Sequence, residues 1–151
     1  GFNGDIHVST GMTTENELNS ILEEIDKFNG LKRTVLYVST ATYPCAFEDL
    51  YLLTVQKYVH KYTNTLKAIG FSGHHNGIAA DVAALTLGAR YFERHFTLDR
   101  KLKGTDQALS LEPQALRKLV RDLRNVDQAL KIRPDGILDS EMIAYNKVKV
   151  S

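Results

Sequence analysis

The 151-residue chain balances 19 lysines and arginines against 18 aspartates and glutamates, so its net charge of +1 provides no broad basic field for nucleic acid or an anionic membrane. At 43% hydrophobic, it is long enough for one domain with a core. The single cysteine, Cys45, excludes an internal disulfide, and with neither an apolar run of spanning length nor a charged-then-apolar leader, a reducing cytoplasm is the expected compartment.

The chain opens on Gly1 with a strand-like run almost at once, from Asp5 to Ser9, and reads as a segment cut from something longer. Thr14-Glu-Asn-Glu17 is a capping box, in which hydroxyl and carboxylate satisfy free amide donors at a helix start. Leu18, Ile21, Leu22, Ile25 and Phe28 then form one apolar stripe that Asn29-Gly30 ends. Thr34 to Thr40 is β-branched and nearly all apolar, as expected of a parallel strand covered on both faces. The loop from Ala41 to Asp49 carries Pro44 and leads into a second helix with Leu52, Val55 and Val59 on one side. Leu66 to Ser72 reads as a third strand, Gly77 to Leu87 as a small-residue helix ended by Gly88, and Tyr91 to Phe96 as a fourth strand. In the last helix Ser110 is the expected N-cap, Pro113 falls in the first turn, and Leu116, Leu119, Val120, Leu123, Val126 and Leu130 form the stripe.

Four βα units in succession imply right-handed crossovers and a parallel sheet with helices outside it. Alone, four such strands leave two long edges and an uncovered face, so the expected architecture is α/β, half of an eight-stranded barrel. Ser9, Ser39 to Tyr43, Ser72 to Asn76 and His95 to Asp99 all fall at strand C-terminal ends, the rim where barrel active sites lie. The competing architecture is an open doubly wound sheet, but no strand is followed by a G-x-G-x-x-G turn.

Two stretches carry the chemistry: Gly70-Phe-Ser-Gly-His-His-Asn-Gly77 and Arg90-Tyr-Phe-Glu-Arg-His-Phe-Thr-Leu-Asp99. Each is a short apolar strand ending in histidine, so two imidazoles can meet over one end of the sheet, as in a metal site. Locally, His74 and His75 also fit a solvated loop pair, and His95 a half-buried strand residue. Glu93 alternates onto the same strand face as His95. Ser9 and Ser72 fit either strand-end capping or donors to an oxyanion, and Asp106 alone fits a solvated loop carboxylate.

Taken in order, Ser9-Thr-Gly-Met12, Thr40-Ala-Thr-Tyr-Pro44 with Phe47-Glu-Asp49, Gly70-Phe-Ser-Gly-His74, Glu93-Arg-His-Phe-Thr97, Gly104-Thr-Asp106 and Ser110-Leu-Glu-Pro113 resemble the signature blocks of sialic acid synthases. The resemblance implies that residues 1–135 are the C-terminal half, four βα units, of a (β/α)8 TIM barrel. Residues 136–151 would be a tail too short for the antifreeze-like domain that some members append. It also implies condensation of phosphoenolpyruvate with N-acetylmannosamine or a related N-acyl sugar, release of phosphate, and a divalent metal, usually manganese. On the matching positions His74 and His95 are the metal ligands, Ser9 and Ser72 bind phosphoenolpyruvate, and Tyr43 lines the sugar site. Asp106 contacts substrate; Glu93, on the His95 face, is placed either to orient a metal-bound water or a substrate hydroxyl or to serve as an ordinary polar residue of the barrel's upper layer, and these two carboxylates are the candidate catalytic residues.

The implied partners are small molecules, with no nucleic acid and no membrane, and a homodimer is compatible. Two departures leave the sugar open: Ser72-Gly-His-His75 stands where many members read Ser-Asp-His-Thr, and Ala41 where a hydrogen-bonding side chain is common. The family's phosphate-neutralising lysines come from the first four strands, so the chain alone is expected to be inactive. An octulosonate-phosphate-type synthase would need more basic residues than Arg94, Arg100, Lys101 and Lys103. A non-catalytic half-barrel that pairs with its own copy is the reading from a different class.

Overall fold

The computed structural model describes residues 3–149. Strands β1 (Ile6–Ser9), β2 (Thr34–Ser39), β3 (Ala68–Ser72) and β4 (Tyr91–Glu93) are all parallel and lie side by side in chain order. Helices α1 (Glu15–Asp26), α2 (Leu53–Tyr62), α3 (Ala79–Thr86) and α4 (Pro113–Ala129) follow the strands in turn. Strand order never reverses, which a doubly wound sheet requires. Accordingly the helices collect on one face: Leu36, Val38, Ile69 and Phe71 of the sheet share a cluster with Leu18, Leu22, Val55, Tyr58, Tyr62, Ala80 and Ala84. Each large side chain fully buried there contributes about 1.5–3 kcal/mol.

The other face carries the alternate residues, in the register His7 beside Val35, Ser9 beside Tyr37 and Gly70, and Ser72 between Ser39 and Glu93. The Tyr37 phenol shares a 2.9 Å hydrogen bond with His7 Nδ1. Its ring crosses Gly70, where a Cβ would stand 2.6 Å from Tyr37 Cδ1. Only glycine leaves room for that ring. Burial first, then the neighbouring Glu93 and Tyr91 charges, push the Tyr37 phenol above its ordinary pKa.

Local chemistry sets the element ends. Thr14 and Glu17 form the reciprocal cap of α1, with Thr14 N–H donating to Glu17 Oε2 at 2.8 Å and Glu17 N–H to Thr14 Oγ1 at 3.3 Å. Asn29 takes a left-handed φ of 53° just beyond that helix. The expected stripe is narrower than its spacing suggests, because Phe28 lies past the helix end at 79% exposure and Ile21 faces outward. Leu18 and Leu22 carry the burial, with Ile25 packed against them. Helix α2 instead buries a wider face, adding Tyr58 and Tyr62 to Val55.

Two expectations about the last unit need correction. The ladder of β4 ends at Glu93 rather than Phe96; Phe96 pairs with Leu111 instead, drawing the returning chain alongside residues 95–97. The N-cap of α4 is Glu112, not Ser110, whose hydroxyl donates to the Asp106 carbonyl at 2.7 Å. Pro113 fixes the first helical position, so the cap falls one residue before it. Along α4 Leu119 is buried while Val120 and Leu130 are exposed, since this helix packs mainly on α3. Helix α5 (Met142–Lys149) follows in the tail, where Arg133 pairs with Glu141. Among the described residues no helix is long and apolar enough to cross a membrane.

Candidate functional site

The strands' alternation continues past their last rungs. Gly73 N–H donates to the Glu93 carbonyl at 3.1 Å, and Ser72 Oγ donates to Glu93 Oε1 at 2.8 Å, so β3 and β4 leave the sheet together. Each then sends one side chain to the open side of the sheet and the next to the helix side.

On the open side stand His74 and His95, with ring centroids 5.2 Å apart and planes at 82°. His74 Nδ1 lies 2.8 Å from the Thr40 carbonyl oxygen. A carbonyl only accepts, so Nδ1 carries a hydrogen, which in the neutral form of the ring leaves the lone pair on Nε2. The His74 carbonyl accepts Cys45 N–H at 2.9 Å, which ties the loop after β2 to the same residue. His95 Nδ1 faces Asp106 Oδ2 at 3.4 Å, longer than an ordinary hydrogen bond but close enough to steer the ring electrostatically. Its carbonyl accepts Leu111 N–H at 2.8 Å. Tyr43 packs across both rings, at 4.3 Å from His74 and 5.7 Å from His95.

Two imidazoles steered through Nδ1, each with Nε2 unengaged among the described residues, would suit a divalent cation of the borderline type. Among the described residues no group of three His, Cys, Asp or Glu side chains is placed to hold a metal. Asp106 stands against the Nδ1 edge of His95. Any cation held there would have two nitrogen donors from the described residues and its other positions left to oxygen ligands, unlike the closed tetrahedron of a structural zinc site.

Of the other expected residues, Glu93 and Ser72 are joined to each other. Ser9 is exposed at the end of β1, with its Oγ accepting from Gly11 N–H at 3.2 Å. Register sets it level with Gly70, two strand spacings, about 10 Å, to the side of β3. Ser9 and Ser72 thus border the same face without touching.

The helix side was not anticipated. His74 and His75 are 6% and 0% exposed, which corrects the reading of them as a solvated pair. His75 Nε2 lies 3.3 Å from Asp81 Oδ2 on α3, and the Arg94 guanidinium pairs with the same carboxylate; all three side chains are buried. Arg94 also donates to the carbonyls of His75 at 2.7 Å and Gly77 at 2.8 Å. One signal was available: Asp81 is the single charge in Ala79-Ala-Asp-Val-Ala-Ala-Leu-Thr86, an otherwise apolar helix needing a buried partner.

A singly wound parallel sheet with its polar residues gathered at the carboxyl rim defines an α/β domain with its candidate site at that rim. Comparison with known proteins then narrows the class. The sequence pattern of the NeuB family matches residues 1–133. The chain is 36% identical over 141 residues to human N-acetylneuraminate-9-phosphate synthase, covering 93% of this chain and 38% of that protein. It is 38% identical over 125 residues to the N,N'-diacetyllegionaminic acid synthase of Campylobacter jejuni, covering 81% and 36%. Among solved structures, the N-acetylneuraminic acid (sialic acid) synthetase of Leptospira borgpetersenii in complex with citrate superimposes with a TM-score of 0.79 at 28% identity, over 97% of this chain and 50% of that one. The chain belongs to the NeuB family, that of the sialic acid synthases. It spans 36–38% of the length of these two curated relatives.

Proposed function

We propose that this chain is the C-terminal half of a (β/α)8 barrel that condenses phosphoenolpyruvate with an N-acylated aldehyde sugar to give a nonulosonate. The observation that carries this reading is the pair His74 and His95, converging at the carboxyl rim with both Nε2 atoms free. Their relatives' synthase activities and the singly wound sheet support it.

Carbon 3 of phosphoenolpyruvate bonds to the aldehyde carbon, water is consumed, and inorganic phosphate is released. His74 and His95 would hold a divalent metal, manganese by preference, which when bound would supply Lewis acidity toward the aldehyde. Thr40 and Asp106 hold the two imidazoles in the tautomer that presents Nε2. Glu93, held by Ser72, orients a water or a substrate hydroxyl beside them, while Ser9 and Ser72 border the phosphoenolpyruvate side. Tyr43, half exposed over both rings, supplies an apolar wall for the sugar. The setting is the cytoplasm, where phosphoenolpyruvate is made.

The 151 residues should bind Mn2+ weakly and not turn over. Electron paramagnetic resonance (EPR) titration of the chain tests the first point: His74→Ala and His95→Ala should each abolish binding, and an unchanged titration overturns the metal assignment. Phosphate release by the chain alone with phosphoenolpyruvate and N-acetylmannosamine would overturn the half-barrel reading.

A further inference from the structure

Behind the two imidazoles, on the helix side of the same two chain segments, lies a buried charge cluster that the proposed chemistry does not use. We propose that Arg94, paired with Asp81, is a positioning residue: its guanidinium clamps the loop 73–77 against the end of β4 and so sets the spacing and tautomer of His74 and His95. The consequence for metal binding rests on the function proposed above; the clamp itself does not.

The connectivity is direct. Arg94 is bonded to His95 through one peptide, and the carbonyl it holds at 2.7 Å belongs to His75, one residue from His74. A second bond reaches Gly77 at 2.8 Å, and Asp81 and His75 Nε2 complete the circle. The planar fork thus fixes two carbonyls and a carboxylate at once, on the residues adjoining the rings. The loop is also pressed closely onto His75, since a Cβ at Gly73 would meet that ring at 2.9 Å.

Stability alone does not account for the cluster. His75 Nδ1, Asp81 Oδ1 and Arg94 Nε are buried with no hydrogen-bond partner among the described residues. A buried ion pair with orphaned atoms is a poor source of net stability compared with apolar packing of the same volume. What it does provide is a fixed geometry between two segments that have already left the sheet's ladder.

The test uses the 151-residue chain labelled with 15N-histidine, recorded at about pH 8, above the reference histidine pKa. In the wild type, long-range 1H–15N spectra should show His74 protonated on Nδ1. The double variant Asp81→Asn/Arg94→Gln removes both charges together and should stay folded, losing less stability than Asp81→Asn alone, which leaves Arg94 buried without a counter-charge. In it His74 should become a tautomer mixture and Mn2+ affinity by EPR should fall about 10–100-fold. Should the double variant lose its circular dichroism, Arg94→Lys is read the same way, because one ammonium cannot span both carbonyls and the carboxylate. A folded variant with the wild-type tautomer and Mn2+ affinity overturns the clamp. If the wild type binds no Mn2+, the tautomer alone decides: a shift upholds the clamp while the metal reading falls, and no shift removes both.

Discussion

His74 and His75 are neighbours in the chain and opposites in circumstance, and Arg94 and His95 repeat the contrast. His74 and His95 turn to the open side of the sheet, each with a free nitrogen; His75 and Arg94 turn to the helix side, where they are enclosed with Asp81. Strand alternation carried one step beyond the ladder separates the candidate ligands from the enclosed charges behind them. Each dipeptide couples the two, so damage on either side should read differently.

The largest effect should come from the open side and concern binding. His95→Ala removes Mn2+ binding while shifting unfolding stability by no more than about 1 kcal/mol, because the ring is part exposed; a large loss of stability in urea would break the contrast. Asp81→Asn does the reverse first: it leaves Arg94 buried without a counter-charge and should cost about 3–5 kcal/mol, read as a lower urea midpoint. Gly70→Ala drives a methyl to 2.6 Å from the Tyr37 ring and 3.0 Å from the Tyr91 carbonyl, for a loss of about 1–3 kcal/mol. Thr14→Ala, at the start of α1, should cost about 1 kcal/mol through the cap and leave the histidine tautomers untouched.

The smallest effects are acid-dependent. The Thr14 hydroxyl, then its backbone N–H, hold Glu17 below its ordinary value of 4.5. A lowered folded pKa means that the contribution is complete above 4.5 and is lost as pH falls through the lowered value. In the tail, Arg133 first and the Leu138 N–H second pull Glu141 down to about 2. Its link to Arg133 is therefore complete above 4.5 and should open only as pH falls through about 2, followed by carboxylate NMR shifts. Opening near pH 4 would sink that assignment.

Much of the fold was legible because its signals are local. The capping box of α1, the apolar run of β2 and the order of four βα units need only spacing and residue type. That His74 and His95 come side by side was legible because each follows the end of a short strand by two residues. What could not be read were pairings across the chain. Asp81 stands in a small-residue helix, and its partner Arg94 is 13 residues away in the sequence. Ser110 reads as a cap on type alone, but its hydroxyl is captured by the Asp106 carbonyl. The stripe of α4 was read correctly as apolar, yet periodicity does not say how much of it a neighbour covers.

Phe96 meeting Leu111 has a consequence for how such a protein can diversify. The segment between them departs from and returns to one rung, so its closure is set by that rung rather than by its contents. Residues can be inserted or deleted at its tip with an entropic penalty that grows only logarithmically. The seat of His95, anchored through its carbonyl at the base, would stay put while the tip is remodelled. Lineages could vary what that tip touches while the rung beneath it, and Asp106 against His95, are kept.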